Sequence, residues 1–394
     1  MSAMIPKDAP RADTVAILDR LVSFDTTSRR PNAPLIDWIA AYLRDHDVPF
    51  TRSRGPEDGK WSLHAIIGPQ TAGGIAFAGH VDCVPVDGQD WTHDPFTLRE
   101  EDGRLYARGA ADMKGFVAAM LAAVPDLQAM QPARPVHLLI TFDEETTCDG
   151  ARHLMADVLS RDQLPDLCVV GEPTLMSPIV AHKGRLALRI TFTGRAGHSS
   201  NPDGGANALH AMGRAIAYIA DEASRFAREG CRAEGFVPPY TTMQVGLASG
   251  GAILNIIPEH AQLEMEWRPV PGDDARAEAD RLQHALAPLH DELRRHGPDC
   301  GIRYEVICDL PPLDLPTEHP LTDLTRQVTG SNAAGHVSYG TEAGIYQRAG
   351  MPAIVCGPGD IAQAHRPDEW IAREQLDRCD RFLRAMARKV CSAP

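Results

Sequence analysis

Residues 75–82 read IAFAGHVD, a short apolar run that ends in a glycine, a histidine and an aspartate. Two later stretches have the same form, since residues 138–145 read LLITFDEE and residues 167–173 read LCVVGEP. Residues 353–356 are a fourth apolar run, and segments with helical spacing lie between the runs. Continuous apolar runs of this length are typical of parallel strands that are covered on both faces. The sequence therefore predicts an α/β domain with a central, mostly parallel sheet.

The middle of the chain has a different pattern. Apolar and polar residues alternate over residues 186–193, 243–247, 261–268 and 302–306. Such alternation is typical of strands that pack one face on helices and leave the other free. One helical segment follows the first of these strands and another follows the third, so the order is β-α-β-β-α-β. We expect a small ferredoxin-like α+β domain.

This α+β domain is predicted to comprise residues 185–309. It would be inserted into a larger catalytic domain formed by residues 1–184 and 310–394. The alternation also places Leu247 and Val306 on the faces that pack on helices.

Composition narrows the possible partners. The 394 residues contain 39 Lys and Arg and 53 Asp and Glu, a formal net charge of −14, which disfavours nucleic acid or an anionic membrane as a ligand. No apolar stretch approaches the roughly 18 residues that a membrane-spanning helix needs. The first residues, MSAMIPKDAPRADT, lack a basic region followed by an apolar core, so we expect a cytoplasmic protein.

Acidic and imidazole side chains follow the predicted strands directly, as His80 does in the first run. Ligands of open α/β sheets gather at the carboxyl ends of the strands, where these groups should converge. Asp112, in GAADMKG, precedes a helix, and His365, in AHRPDE, follows the last strand. Clustered carboxylates repel one another unless cations lie among them, and imidazole with carboxylate suits zinc, cobalt or manganese. We therefore expect two metal ions, bridged by Asp112.

The motifs GHVD, GAADMKG, DEE, GEPT and QAHRPDE, in this order, resemble those of the dinuclear zinc deacylases and exopeptidases. The strings DWTHDPFTL, AGHSSNPDGGANA and YGTEA are similar to that family too, so the resemblance covers nearly the whole chain. It implies a zinc-peptidase-like catalytic domain with an inserted lid and dimerisation domain. No GxGxxG follows a predicted strand, which disfavours a hydride-transfer enzyme.

The resemblance also implies a set of metal ligands. His80, Asp112 and Glu172 would bind one zinc ion, and Asp112, Glu145 and His365 would bind the other. Cobalt is expected to be able to substitute for zinc at both positions.

Three further residues would act in catalysis by the same resemblance. Asp82 would hold the ring of His80, and Glu144 would be the general base that takes a proton from the attacking water. His198, in the GHSS motif of the inserted domain, would donate to the oxyanion. In the family that domain pairs with its twin, so we expect a homodimer in which His198 reaches the partner's site.

The resemblance further implies hydrolysis of an N-acyl amino acid, with N2-acetyl-L-ornithine as the expected substrate. Asn255 and Arg268 would bind the α-carboxylate, for which a guanidinium offers two donors. Thr341 and Glu342, in YGTEA, would also contact the substrate, with Glu342 facing its side-chain ammonium. Succinyl-diaminopimelate and other N-acyl amino acids are alternative substrates. A catalytically silent binding protein is a further alternative, which an intact Glu144 disfavours.

Overall fold

The computed structural model describes residues 12–392 and divides into two compact units. The described part of the first unit consists of residues 12–181, 313–336 and 341–392, and the second unit of His182–Pro312 and Val337–Gly340. No helix within residues 12–392 is long and apolar enough to cross a membrane.

The helices, in chain order, are α1 Ala12–Val22, α2 Ala33–Asp45, α3 Gly115–Ala129, α4 Asp149–Ser160, α5 Ala208–Glu229, α6 Ala275–Arg294, α7 Pro320–Thr329, α8 Ala343–Arg348 and α9 Arg373–Cys391. The strands are β1 Phe50–Arg54, β2 Trp61–Ile67, β3 Ile75–His80, β4 Arg99–Glu101, β5 Arg104–Tyr106, β6 Val136–Thr141, β7 Leu167–Pro173, β8 Ile179–His182, β9 Arg185–Thr193, β10 Thr242–Gly250, β11 His260–Arg268, β12 Gly301–Leu310, β13 Leu313–Asp314, β14 Gly335–Val337, β15 Ala353–Gly357 and β16 Trp370–Ala372.

The first unit is built on a large sheet with the order β1-β2-β6-β3-β7-β15-β8-β13. Its centre is parallel, since β3 pairs in parallel with β6 and β7, and β7 with β15. Antiparallel pairs flank this centre, β1 with β2 and β2 with β6 on one side and β15 with β8 on the other. The predicted α/β class with a mostly parallel central sheet is therefore confirmed.

Helix α3 shows why the sheet is covered. Its sequence, GFVAAMLAAVPDLQA, is apolar on all sides, and the residues from Gly115 to Val124 are buried. A helix that is apolar all round must lie inside the molecule. It contacts β3, α1 and α9, and Phe116 and Val117 of its first turn lie against Gly79, next to the carboxyl end of β3.

The second unit has the predicted β-α-β-β-α-β order. Its sheet has the strand order β10-β11-β9-β12, with antiparallel neighbours, and one apolar cluster joins the strands to α5 and α6. This is the expected ferredoxin-like arrangement.

The burial expected at both edge strands of this unit is wrong at one position each. Leu247 is 64% exposed and Val306 is 47% exposed, whereas Cys308 is buried. The register shifts between Val245 and Leu247 in β10, and between Val306 and Cys308 in β12. In β10 the shift places Leu247 opposite the half-exposed Glu264, although the apolar and polar letters still alternate. Val306 precedes the shift in β12 and pairs with the buried Leu188, so the shift does not account for its exposure.

The edges of the second unit differ slightly from the predicted 185–309. Residues 182–184 join it because the backbone N–H of Gly184 donates to the carbonyl of Pro269 over 2.8 Å. Residues 310–312 follow β12, whose last residue, Leu310, pairs with Arg185 at the start of β9.

Candidate active site

The ends of three neighbouring strands carry the predicted ligands. His80 ends β3, Glu172 lies near the end of β7, and Glu145 follows β6. These strands are parallel, so their carboxyl ends lie at one edge of the sheet. A glycine precedes Glu172 because α3 packs closely there: a Cβ on Gly171 would lie 2.0 Å from the ring of Phe116.

His80, Asp112 and Glu172 form one group of potential metal ligands. Their exposed fractions are 1%, 5% and 5%. Nε2 of His80 lies 3.3 Å from Oδ1 of Asp112 and 3.7 Å from Oε1 of Glu172. One ligand atom from each residue lies within 4.8 Å of the others, which is a spacing that a single cation can bridge.

Asp112, Glu145 and His365 form the second group. Nε2 of His365 lies 3.3 Å from Oδ2 of Asp112 and 3.0 Å from Oε2 of Glu145. The two oxygens of Asp112 therefore face different histidines, one in each group. This is the geometry of a carboxylate that bridges two cations.

Three atoms of the first group test whether a metal ion fits. Within the part of the chain that the structure describes, His80 Nε2, Asp112 Oδ1 and Glu172 Oε1 are buried and have no hydrogen-bond partner. Buried polar atoms rarely lack a partner, because an unsatisfied one is costly. All three are of the kinds that bind zinc, cobalt or manganese. The residues thus fit a divalent cation.

The electrostatics of the cluster agree with that fit. Burial raises the pKa of Glu172 well above its usual range, and the charges of Asp112 and Glu144 raise it further. Burial and Asp112 raise the pKa of Glu145 to about 7. Hydrogen bonds with Asp112 and Glu145 raise the pKa of His365 to about 10. The carboxylates outnumber the imidazoles, and divalent cations would offset the excess negative charge.

The side chain of Glu144 makes different contacts from those of its two acidic neighbours, Asp143 and Glu145. Its Oε2 lies 4.0 Å from His80 Nε2, and its side chain is 11% exposed. Burial raises the pKa of Glu144 well above its usual range, while the charge of His80 opposes that shift. Asp143 points elsewhere, since its carboxylate accepts from Lys60 Nζ over 2.5 Å. The three consecutive acids of the DEE motif therefore lie against three different side chains.

Asp82 holds His80 mainly through its backbone. Nδ1 of His80 lies 3.0 Å from the carbonyl oxygen of Asp82 and 3.4 Å from its carboxylate. Since a carbonyl can only accept, Nδ1 carries the proton and Nε2 presents its lone pair to the ligand group. The Asp82 carboxylate accepts instead from the Ser28 hydroxyl, at 2.7 Å, and from the N–H groups of Glu144 and Glu145.

A family comparison identifies the class of protein to which this geometry belongs. The profile of peptidase family M20/M25/M40 matches residues 76–389. The chain belongs to this family. Acetylornithine deacetylase of Photorhabdus laumondii is 38% identical over 348 residues, 88% of each chain. Acetylornithine deacetylase of Myxococcus xanthus is 37% identical over 381 residues, 95% of this chain and 97% of that one. The predicted family is confirmed, and this M20 chain is a metal-dependent hydrolase.

Solved structures of low identity share the fold of this M20 chain. Aminopeptidase PepT of Bacillus cereus has a TM-score of 0.70 at 18% identity, covering 97% of this chain and 99% of its own. The M20 metallo-carboxypeptidase Sso-CP2 of Sulfolobus solfataricus has a TM-score of 0.71 at 16% identity, with 95% and 98% covered. YXEP of Bacillus subtilis, described as a dinuclear metal binding peptidase, has a TM-score of 0.65 at 13% identity, with 96% and 97% covered.

His198 and Asn255 lie next to each other in the second unit of the M20 chain. The N–H of Ser199 donates to the Asn255 carbonyl over 3.1 Å, and His198 pairs with Ile256. Nδ1 of His198 accepts from the N–H of Ser200 over 3.2 Å. In the neutral ring the proton is therefore on Nε2, which is the form that a hydrogen-bond donor to an oxyanion requires.

The remaining expected substrate contacts have protein partners. Nε of Arg268 donates to Glu266 over 3.2 Å. The Thr341 hydroxyl is buried and accepts from the N–H of Ala343, at the start of α8. Glu342 is 1% exposed, and its Oε2 accepts from the hydroxyls of Thr141, at 2.9 Å, and Tyr346, at 3.0 Å.

Two buried charged residues that were not among the predicted site residues lie beside the ligands. Arg108 and Glu369 are each 1% exposed and form an ion pair of 2.7 Å. Arg108 directly precedes the GAADMKG motif, and Glu369 ends QAHRPDE. Their position in the sequence could have revealed them, because each charged residue borders a motif that carries a predicted ligand.

Proposed function

We propose that this M20 chain hydrolyses N2-acetyl-L-ornithine to L-ornithine and acetate, a cytoplasmic step of arginine synthesis. The observation that carries the proposal is the position of Asp112 between two groups of ligands, with one oxygen toward each histidine. The acetylornithine deacetylases, 37 to 38% identical over most of the chain, support this substrate.

The proposed cofactors are two zinc ions, for which cobalt could substitute. His80, Asp112 and Glu172 would hold one, and Asp112, Glu145 and His365 the other. Such ions supply a water that is acidic enough to ionise near neutral pH, and they polarise the acyl carbonyl. The dinuclear metal binding attributed to YXEP, a member of the same family, supports the count of two.

Glu144 moves the proton in the proposed reaction. It takes a proton from the attacking water and returns it to the departing amine. A carboxylate whose pKa is raised by burial holds that proton better than an exposed one does. The Nε2–H of His198 is assigned as the donor to the tetrahedral oxyanion.

We also propose that the functional form is a homodimer in which His198 acts in the partner's site. β10 is an edge strand of its sheet, and Leu247 on it is 64% exposed. An edge strand with unpaired backbone groups and an exposed apolar side chain is a surface on which a second copy can pair.

Substrate selection is assigned to four residues. Asn255 and Arg268 would bind the α-carboxylate, and Thr341 would help to place the substrate. Glu342 would recognise the side-chain ammonium: in the region covered by residues 12–392, its Oε1 is buried without a hydrogen-bond partner.

The test combines metal analysis with a substrate panel on one purified sample. We expect about two zinc ions per chain and loss of activity on chelation that added zinc restores. We also expect acetylornithine to be turned over faster than succinyl-diaminopimelate or acetylmethionine. Full activity after exhaustive chelation would refute the metal mechanism. A faster turnover of either other compound would replace the proposed substrate, and no turnover of any would favour a binding protein.

A further inference from the structure

Glu369 is a buried carboxylate outside both groups of ligands. Its Oε1 accepts from the backbone N–H of Ala111, at 2.9 Å, and of Asp112, at 3.1 Å. Its Oε2 accepts from the N–H of Gly109, at 3.1 Å, and from Arg108 Nη1, at 2.7 Å. One side chain thus binds three backbone groups of the segment that carries the bridging Asp112.

Arg108 extends this network to the segment that carries His365. Its guanidinium lies over the ring of Trp91, 5.0 Å from the centroid. Nη2 donates to Gln89 Oε1 over 2.6 Å, and Nη1 donates to the carbonyl of Arg366 over 3.3 Å. Gln89 Nε2 in turn donates to the carbonyl of His365 over 3.0 Å. Two consecutive carbonyls of the segment that carries His365 are held in this way.

His365 needs such support because its backbone lies in the left-handed region, with a φ of 64°. Residues other than glycine seldom adopt this conformation, which persists only where surrounding contacts impose it. His365 and Asp112 both lie outside the strands, whereas His80 and Glu172 lie within β3 and β7. The second group of ligands therefore depends more on loop contacts than the first.

We propose that Glu369, Arg108 and Gln89 are positioning residues that set the distance between Asp112 and His365, and so the metal affinity of the second group. This inference rests on the proposed metal centre. The hydrogen bonds of this network would determine how tightly one of the two metal positions binds its ion. Groups that orient ligands typically change metal affinity by about ten- to a hundredfold when removed.

Gln89→Ala and Glu369→Gln test the network at its two ends. Gln89→Ala removes the donor to His365 and the acceptor of Arg108 Nη2 and Trp91 Nε1 from a half-buried side chain, and leaves the Glu369 contacts in place. Glu369→Gln keeps the shape, but its amide nitrogen must face N–H groups that need an acceptor. Asp380→Asn is the matched control, since Asp380 is a buried carboxylate of the first unit that accepts from the hydroxyl of Thr14.

The readout is zinc binding to the metal-free chain, titrated against a chromophoric chelator, with the visible spectrum of the cobalt form as a second probe. We expect both variants to weaken binding of the first zinc ion less than binding of the second, because His80 and Glu172 are held in β3 and β7 although Asp112 belongs to both groups. The second should bind about ten- to a hundredfold more weakly, and excess zinc should restore much of kcat. Asp380→Asn should bind both ions normally.

Two outcomes would overturn the inference while leaving the proposed function intact. One is wild-type affinity for the second ion in both variants. The other is an equal weakening in Asp380→Asn, which would mean that general loss of stability is responsible. If the wild type itself binds no second ion, the proposed metal centre fails first.

Discussion

The backbone N–H of Glu144 donates a hydrogen bond to the carboxylate of Asp82 over 3.1 Å. The same residue holds the ring of His80 through its carbonyl oxygen. Asp82 therefore joins the first ligand to the proposed general base. Burial raises the pKa of Asp82, but the neighbouring His80, followed by hydrogen bonds from the Ser28 hydroxyl and the Glu144 N–H, outweighs it and keeps this pKa below its usual value.

Asp82→Asn tests this connection. The variant places an amide nitrogen among groups that donate, so the turn that carries Glu144 must shift. We expect kcat to fall by about ten- to a hundredfold at saturating zinc. Ser28→Ala, which removes only one donor to Asp82, should lose less. Steady-state kinetics and zinc analysis on the same sample distinguish a loss of kcat from a loss of metal. An unchanged kcat in Asp82→Asn would refute the link between Asp82 and Glu144.

Glu144→Gln separates catalysis from metal binding. Glu144 belongs to neither group of ligands, so the variant should keep wild-type zinc content. Its kcat should fall by about a hundredfold to ten-thousandfold, which is what loss of a general acid or base typically costs. Metal analysis and kinetics on the same sample check both parts. A variant with near-normal kcat would assign the proton transfer to another group.

The ligands could be placed from the sequence because each follows a recognisable feature. His80 and Glu172 follow apolar runs, and the carboxyl ends of adjacent parallel strands necessarily meet. The exposure of Leu247 could not be read in the same way, since the register shift in β10 leaves the alternation of letters intact. Glu369 was overlooked because its partners are mostly backbone N–H groups, which no residue type reveals.

A buried pair of histidines in the first unit makes the fold sensitive to acid. Nε2 of His64 lies 2.9 Å from Nδ1 of His137, whose Nε2 lies 3.0 Å from the Gly73 carbonyl. Burial lowers the pKa of His64 to about 3 and that of His137 to about 4. Below about pH 6.5 both histidines become protonated in the unfolded chain but stay neutral in the folded chain. The free energy of unfolding therefore falls as pH drops toward about 4.

The expected contribution is about 1.4 kcal/mol per pH unit for each histidine in this range. Urea unfolding between about pH 6.5 and 4.5, compared with the double variant His64→Gln and His137→Gln, measures it. The variant should lose stability less steeply than the wild type. The exposed His93→Gln is the control and should follow the wild type. Parallel curves for the double variant would contradict the assignment.

Mixed subunits test whether His198 acts in the partner's site. Glu144→Gln and His198→Ala should each be nearly inactive as homodimers. If His198 acts across the dimer, a mixed dimer has one complete site, and equal mixing should recover about a quarter of wild-type activity. If it acts within its own chain, both sites of a mixed dimer are defective and no activity returns. Size-exclusion chromatography must show subunit exchange in either case.

Glu342→Gln distinguishes recognition of an ammonium from a purely structural role. The carboxylate is held by Thr141 and Tyr346, and burial raises its pKa to about 7. A Gln side chain can still accept from both hydroxyls, so the fold should persist, but it offers no negative charge to a substrate ammonium. We expect kcat/KM for acetylornithine to fall at least about tenfold more than kcat/KM for acetylmethionine, because a charge-assisted hydrogen bond is stronger than a neutral one by roughly that amount. An equal loss with both substrates would mean that Glu342 supports the site without reading the side chain. Tyr346→Phe is the matched control, since it removes one donor to Glu342 while keeping the charge, and it should affect both substrates alike.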